Sequence, residues 1–573
     1  MVRFLKLPFA LVTVSGGLAL VRVVEQLTSS PLIDLILATM GIALFLFFIP
    51  IYVGGIKSTE TGRLFAIAIL LGIALDTAIK GSFTTMDLSW SRGAVSYTIV
   101  VVLFALHWWS MLKVLRFRPH QGDDGGPRSS LPLIGLGPIL VLELLLFQNI
   151  GQQTVLTEWT QPLLFGWIVL ANAIAIGVVA FSPHRYMGWP FTLVLGAGLI
   201  ALVWSEPSGS TAAVLQLVGH TIVALLLLRL GASLGWSATS RGIGRLSVAS
   251  GVGMLLLLVL LFSYYASYDI DIPFSQRAVA PIAAAILALG ALAAVRAIPR
   301  EIGVMPAKWV PALSGFLLIF LPLGYFLAYD EPSEVQGGGF PVRIMSYNLH
   351  QGFGVEGHPS IEELADAIAM EDPDIVALQE VSRGWVIDGS FDMLEWLSRR
   401  LDLPYVWGPA ADSVWGNAVL SRYPVLSAET HPMPNNDELL LKRSFTSVDI
   451  DIGEGQSLMV IATHLHHPAD EGYRREPQVE AILDFWDATD KTVLLGDLNA
   501  HPTDPEMVLL GEAGLKDAFI DSGAVGDGYT SRSDDPWQRI DYIWISQDLE
   551  AKDFSITDSR ASDHLGIAVT VYS

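Results

Sequence analysis

Apolar positions follow two different patterns along the chain. From about residue 7 to residue 329 they form runs long enough to cross a bilayer, which takes about 20 mostly apolar residues. Such runs lie near 7–27, 32–54, 62–80, 93–115, 131–150, 161–182, 189–205, 211–230, 246–267, 278–297 and 309–329, and they predict eleven transmembrane helices. Glu331 to Gly339, with Pro332 and three glycines, reads as a flexible linker. Beyond it the apolar runs shorten to strand length and end on polar residues. Val342 to Asn348, Ile375 to Val381, Gly416 to Val425, Leu458 to His464, Val493 to Leu495, Arg539 to Trp544 and Ile567 to Tyr572 read as strands. Between them, Ile361, Leu364, Ala365 and Ile368 mark one face of a helix behind a capping box, Ser360-Ile-Glu-Glu363. Pro373 ends that helix, and a second is expected from Gly472 to Thr489. The organisation is therefore a multi-span membrane half over residues 1–330, a linker at 331–340 and an α/β domain over 341–573.

Composition sharpens the division. Hydrophobic residues make up 52%, charged residues 16%, and the mean hydropathy is +0.48, values that point to membrane segments. Charge is unevenly placed: residues 1–330 carry a net +5 and residues 331–573 a net −28. The absence of cysteine excludes disulfides, zinc–thiolate sites and thiol nucleophiles. The first apolar segment lacks a clear cleavage site and reads as a retained span. With Arg3 and Lys6 in the cytoplasm, alternate loops collect Lys57, Arg63, Lys113, Arg116, Arg118, Arg128, Arg185, Arg241, Arg245, Arg296, Arg300 and Lys308. The positive-inside rule then places everything after Tyr329 outside the cytoplasm, and a plasma (inner) membrane is the expected location. Asp34, Asp76, His107, Glu143 and His220 fall within spans, where an ionisable group either pairs with another or serves a function. No internal repeat or broken-helix pair is legible in the spans.

The chemistry-bearing residues sit at the ends of the predicted strands. In Lys491-Thr-Val-Leu-Leu-Gly-Asp-Leu-Asn499, Gly496 permits a turn, and Asp497 and Asn499, two apart on a continuing strand, share a face. An Asx-turn after the strand is the plainer reading of the same residues. Glu380 ends an apolar strand, as an oxygen ligand for a hard cation would. Asn348 ends another. Arg422 lies where an anion could be met, with His350 and Asn417 as further phosphate candidates. His464 ends a strand, whereas His466 and His467 are expected on the surface. The pair Asp563-His564 precedes the last strand, and Asp541 is the candidate carboxylate to orient His564.

Seven short motifs, in order, carry a resemblance: Ser346-Tyr-Asn348, Ala377-Leu-Gln-Glu380, Ala418-Val-Leu-Ser-Arg422, Ala462-Thr-His-Leu465, Leu495-Gly-Asp-Leu-Asn499, Arg539-Ile-Asp-Tyr542 and Ser562-Asp-His564. Residues 341–573 resemble the endonuclease/exonuclease/phosphatase superfamily, with its DNase I-like two-sheet α/β sandwich. The resemblance implies Mg²⁺ or Mn²⁺ held by Glu380 with Asn348 and Asp563. It implies Asp497 acting on the attacking water, Asn499 on the transition state, and His564, paired with Asp541, on a phosphate oxygen or the leaving group. His464 looks like the second histidine of the DNase and sphingomyelinase branches. Where several DNA-repair members have an acid two residues after the first Asn, this chain has His350, which resembles the branch acting on lipids and small phosphoesters. The layout also resembles eukaryotic membrane proteins in which a multi-span half precedes this hydrolase half and which act in lipid remodelling of glycosylphosphatidylinositol anchors.

The expected function is a membrane-anchored, metal-dependent phosphodiesterase or phosphatase facing outward, acting on phosphorylated lipid head groups. A tethered extracytoplasmic nuclease is the alternative enzyme. It fits less well because nucleic-acid binding relies on Lys and Arg neutralising phosphates, and the soluble half has no basic run longer than two residues. A non-catalytic membrane scaffold is the third reading, and the complete set of motif residues argues against it.

Overall fold

The computed structural model describes residues 7–28, 30–55, 61–116, 126–127, 129–183, 187–234, 236–237, 243–272, 275–298, 307–434 and 436–573. The chain forms two compact units, Met1–Ala328 and Tyr329–Ser573.

The first unit is helical. Among the described residues eight helices are long and apolar enough to span: Pro31–Gly54, Gly62–Ser82, Ala94–Lys113, Gln161–Phe181, Gly209–Ala232, Gly244–Ala266, Gln276–Val295 and Trp309–Leu327. A ninth arises if Leu131–Phe147 and Ile150–Thr157, bent by 47° at their junction, are one span. Against the eleven expected, the described residues thus hold eight such helices, or nine with the bent pair. Trp189–Trp204 has 16 residues, and at about 1.5 Å per residue it falls short of a hydrocarbon core about 30 Å thick. Leu7–Glu25 is also helical, 19 residues long with Arg22 in its last turn. The bend is also a correction, because the sequence showed no broken helix. It follows a π-helical turn at Glu143–Phe147, and Asn149 caps the next helix by accepting from Gln152 N at 3.1 Å.

The intramembrane ionisable residues are mostly paired. His220 Nδ1 lies 2.9 Å from Glu143 Oε2, Gln148 Nε2 donates to the same oxygen at 3.0 Å, and Thr77 and Asn172 each donate to Gln148 Oε1 at 2.8 Å. Asp76 is 3.8 Å from Lys80, and His107 Nε2 is 2.7 Å from Ser15 Oγ. Two short strands, β1 (Gly126–Pro127) and β2 (Trp236–Ser237), pair antiparallel. Arg3, Lys6, Lys57, Arg118, Arg128, Arg185, Arg241 and Arg300, on which the charge-alternation reading draws, lie outside the described residues.

The second unit is a sandwich of two six-stranded sheets. Its strands are β3 (Val342–Asn348), β4 (Ile375–Ser382), β5 (Tyr405–Asp412), β6 (Trp415–Ser421), β7 (Val425–Pro432), β8 (Ser444–Gly453), β9 (Gln456–His464), β10 (Thr492–Asp497), β11 (Lys516–Asp517), β12 (Asp541–Ile545), β13 (Glu550–Ile556) and β14 (Ile567–Tyr572). One sheet runs β11-β12-β10-β9-β8-β7, the other β13-β14-β3-β4-β6-β5. The central strands are apolar on both faces because both are covered. Val493 and Leu495 face the core between the sheets, with Val460, Ala462, Ile543, Ile344 and Ala377. Leu494, Ile461, Tyr542 and Trp544 face outward, under Val479, Ile482 and Trp486 of the helix Gly472–Trp486 and Met507 and Leu510 of Pro505–Glu512.

Two local expectations change. Ser360 precedes the helix Ile361–Glu371 but makes no side-chain cap; its hydroxyl donates to Ala561 O at 2.5 Å, so tertiary structure claims it. The stretch read as a flexible linker is laid along the domain, with Val335 N donating to Arg422 O and Gly339 N to Ile452 O, both at 2.7 Å.

Candidate active site

The period of two that builds the inter-sheet core also builds the site. Asp497 continues the inward parity of Val493 and Leu495, His464 that of Val460 and Ala462, Asp541 that of Ile543 and Ile545, and Asn348 that of Val342 and Ile344. The core thus turns polar at one end of the sandwich. Register sets these residues level, with Asp497 opposite both His464 and Asp541. Gly496, at φ +150°, lets β10 approach β9: a Cβ there would sit 1.9 Å from Thr463 O.

Glu380 reaches the same end through an irregularity. The β4–β6 register shifts between Leu378 and Val381, and Glu380 takes a left-handed φ of +53°. Such a bulge re-aims a side chain at the cost of local strain. Just beyond it, Arg383 forms a buried two-point pair with Asp392, at 3.0 and 2.9 Å, which pins the segment.

One amide links the carboxylates. Asn348 Nδ2 lies 3.0 Å from Asp497 Oδ2 and 3.5 Å from Glu380 Oε1, while its Oδ1 accepts from His350 N at 3.0 Å. Gln351 Nε2 meets Glu380 Oε2 at 3.3 Å. His564 Nδ1 is 2.8 Å from Asp541 Oδ2, and its Nε2 is 3.7 Å from Asp497 Oδ2. His464 Nε2 approaches that Asp497 oxygen from another side, at 3.5 Å. The strand does not continue to Asn499. It stops at Asp497, whose Oδ1 accepts from Asn499 N at 3.0 Å in an Asx-turn, and Asn499 Nδ2 donates to Leu465 O at 3.1 Å.

Burial separates the charge states of these groups. Burial pushes Asp497 up to about 7, with the neighbouring Asp541 adding to the shift and His564 opposing it. Burial disfavours a charged His564, but the carboxylates of Asp541 and Asp497 outweigh it and hold that histidine well above its usual range. His464, buried and facing Arg443 and His564, is held well below it. The two imidazoles of the site are thus shifted in opposite directions.

Arg422 is brought elsewhere, contrary to expectation. Ser421 pairs with Ile375, at the opposite end of β4 from Glu380, because β6 runs antiparallel to β4. Arg422 instead meets Asp372 at 2.8 Å and Asp374 at 3.8 Å. Asn417 is buried at the level of the β4 bulge and donates to Ser444 O at 3.1 Å. His350 lies at the rim, 3.7 Å from Asp563 Oδ1. His466, expected on the surface, is buried and pairs with Glu471 at 2.6 Å.

Arg443 was not singled out as a site residue by the sequence. It precedes β8, is 1% exposed, lies 5.6 Å from the Trp415 ring, and places Nη2 3.3 Å from His467 Nδ1. Its Nε and Nη1 are buried without a hydrogen-bond partner. The anionic side chains that act on it are Glu380 and Asp497. Lys442-Arg443 reads in sequence as an ordinary surface pair, and only its place beside the carboxylates marks it.

The donor set suits a hard divalent cation. Glu380, Asp497, Asp541 and Asp563 gather with no Lys or Arg ion pair to any of them among the described residues. Asp541 Oδ1 is buried without a partner. One ligand atom from each of Asp497, Asp541 and His564 lies within 4.8 Å of the others.

Comparison with known proteins agrees with this domain. Residues 345–564 match the Endonuclease/Exonuclease/phosphatase family model. Protein cwh43 of Schizosaccharomyces pombe is 22% identical over 210 residues, 36% of this chain and 21% of that protein, so the chain matches only about a fifth of that relative's length. An endonuclease/exonuclease/phosphatase from Beutenbergia cavernae is similar at 26% identity, covering 40% of this chain and 71% of its own, with a TM-score of 0.35. A family protein from Leptotrichia buccalis is 22% identical over 40% of this chain and 100% of its own, TM-score 0.34. D. rerio TDP2 complexed with single strand DNA product is 20% identical over 40% and 99%, TM-score 0.34. With its motif residues gathered at the strand ends of a two-sheet sandwich, the C-terminal part of this chain is similar to the endonuclease/exonuclease/phosphatase family, whose model it matches over residues 345–564.

Proposed function

We propose that the protein is a membrane-anchored, divalent-metal-dependent phosphoester hydrolase whose substrate is a phosphorylated lipid head group. The observation that carries this reading is the convergence of Glu380, Asn348, Asp497, Asp541 and His564 at one end of the sandwich. Mg²⁺ or Mn²⁺ held by Glu380, with Asn348 and Asp563 beside it, would supply Lewis-acid stabilisation of the phosphoryl oxygens. Asp497 orients the attacking water and takes its proton; a group titrating near neutrality suits that task. His564, oriented through Nδ1 by Asp541, presents Nε2 as a donor to a phosphate oxygen or the leaving group. Asn499 and His464 contribute hydrogen bonds where charge develops. Arg443, with Nε and Nη1 otherwise unused, would offer donors to the phosphate. His350 and Asn417 border the same end.

The lipid head group is favoured over nucleic acid by the chain's own layout. The membrane half holds the domain in a membrane protein, and the net −28 of residues 331–573 opposes a polyanion. In this reading the N-terminus is cytoplasmic and the catalytic domain lies on the other side of a plasma or inner membrane. Remodelling of a glycosylphosphatidylinositol-type anchor is one reaction of this class.

The test uses full-length wild type and Asp497→Ala, each with Mg²⁺ or EDTA, against total membrane lipid extract and plasmid DNA in parallel. Release of phosphorylated head groups or phosphate by wild type alone, abolished by EDTA, is the expected outcome. Metal-dependent nicking of DNA without lipid turnover would make the protein a tethered nuclease instead.

A further inference from the structure

The loops around the candidate active site carry apolar side chains outward. The loop after β4 raises Ile387, and the β7–β8 loop raises Leu440 shortly before Arg443. The turn after β9 raises Tyr473, and the segment before β12 raises Tyr529 and Trp537; all five are exposed, by 40% for Tyr529 to 61% for Tyr473. Each of these loops meets the sandwich at the end that carries Glu380, His464 and Asp541. Backbone contacts hold them there. Ser531 bridges His564, Thr530 N donates to Gln538 O at 2.9 Å, and Trp537 N donates to Ser531 O at 3.0 Å. The Trp537 ring lies 6.5 Å from that of His501, two residues beyond Asn499. Arg474, beside Tyr473, meets Glu438 of the β7–β8 loop at 3.5 Å.

Single exposed apolar residues are ordinary on any surface. Kind and place set these apart. Every strongly exposed Tyr or Trp among the described residues of this unit, namely Tyr473, Tyr529 and Trp537, is at this end, whereas elsewhere the unit exposes residues such as Met370, Leu426 and Phe485. Tyr and Trp join an apolar ring to a polar tip and settle at the head-group level of a bilayer.

The chain keeps this unit at a membrane surface. Tyr329 lies two residues beyond the candidate span Trp309–Leu327, hence within roughly 7 Å of its end. Its Oη donates to Glu395 Oε1 at 2.7 Å, and Arg399 Cζ lies 4.7 Å from its ring centroid. Glu395 is in the first turn of the helix Met393–Leu401, capped by Asp392, the residue that pins Arg383 just beyond the Glu380 bulge. Charge selects the kind of surface. Glu438, Asp527 and Asp535 are exposed in the same loops, Arg474 is paired with Glu471 and Glu438, and Arg532 with Asp534. An anionic surface would be repelled, so apolar burial rather than charge must supply the attraction.

We propose that the active-site end of the soluble unit docks on a zwitterionic bilayer, with Ile387, Leu440, Tyr473, Tyr529 and Trp537 in its head-group layer. Such docking rests on the proposed lipid hydrolase function for its purpose: a phosphoester is met at the depth where it lies and need not leave the bilayer.

The chain has no cysteine, so single cysteines can be labelled selectively. Leu440→Cys, Trp537→Cys and, as the control, Met370→Cys each carry a nitrobenzoxadiazole label in the full-length protein. Met370 is exposed near the end of the helix Ile361–Glu371, towards the opposite end of β4. The proteins are reconstituted in phosphatidylcholine vesicles with and without lipids bearing a quencher high in the acyl chain. Labels at 440 and 537 are expected to shift to the blue and lose most of their emission to the quencher, while the label at 370 loses little. Labels at 440 and 537 quenched no more than that at 370 would overturn docking and leave these loops to a protein partner. The readout needs no turnover. Quenching without lipid hydrolysis upholds docking and removes the hydrolase reading, whereas hydrolysis without quenching does the reverse.

Discussion

Asp497 sits in the most conflicted position of the soluble unit: buried, beside two histidines and opposite a second carboxylate. Its proton affinity is raised from 3.8 to about 7, so the folded state binds that proton more tightly than the unfolded chain. Stability from this group is therefore lost as pH rises from about 4 to 7, and the full cost stands above pH 7. Asp497→Asn in the unit Tyr329–Ser573, with EDTA present, is expected to raise the melting temperature at pH 8 and to lose that advantage near pH 4. A melting temperature at pH 8 no higher than wild type would contradict it. The same substitution removes the proposed base and is expected to abolish turnover. Arg443 makes the second residue-scale prediction. Arg443→Ala is expected to reduce kcat/KM by roughly 10²–10³, the usual loss for one preorganised electrostatic contact, and Arg443→Lys to recover little, since a point charge cannot replace the fork. Full rescue by Lys in a steady-state assay would reduce the role to charge alone.

Strands and loops fix the precision of these groups. The pairing of β10 with β9 needs Gly496, because any Cβ meets Thr463 O. Gly496→Ala must push the two strands apart just where Asp497 and His464 face each other. It is expected to destabilise the unit by about 2–4 kcal/mol, in the range of disruptive core changes, and to lower kcat more than KM; chemical denaturation and steady-state kinetics read the two effects. The loop after His464 depends on another buried device. Arg475 pairs with Glu506 at 2.5 Å and also donates to the carbonyls of His466, Pro468 and Ala469. Removing one partner of a buried pair leaves the other uncompensated, so Arg475→Ala is expected to cost about 3–5 kcal/mol. The loop also carries His467, which meets Arg443. A loss under 1 kcal/mol on denaturation would show that the pair is dispensable.

For the whole molecule, a helical membrane half and a strongly acidic sandwich share one chain. Affinity for a polyanion falls steeply with salt only when Lys and Arg neutralise phosphates, and the acidic half offers few. Turnover of a lipid head group by the full-length protein is therefore expected to change less than about threefold between 50 and 200 mM salt, within the range where phosphate-gripping proteins lose about 10³–10⁵ in affinity. A drop of that larger size would indicate that a basic surface grips the substrate.

The sequence by itself determined the two-part layout, the helical character of the first part and the strands of the second. Length of apolar run and period of alternation are local properties that survive without a fold. It also marked Asn348, Glu380, Asp497, Asp541 and His564, because each lies at an end of a strand or close beside one. Tertiary structure decided the rest. Whether an apolar segment spans as one straight helix depends on bends, as at Glu143–Phe147. Arg422 stands at the end of a strand in sequence, but strand direction carries it to the far end of the sandwich. Arg443 looks like a surface basic residue until β8 and Trp415 enclose it beside the carboxylates. Ser360 reads as a cap until Ala561 takes its hydroxyl. In each case the deciding partner is far along the chain, and no local pattern records it.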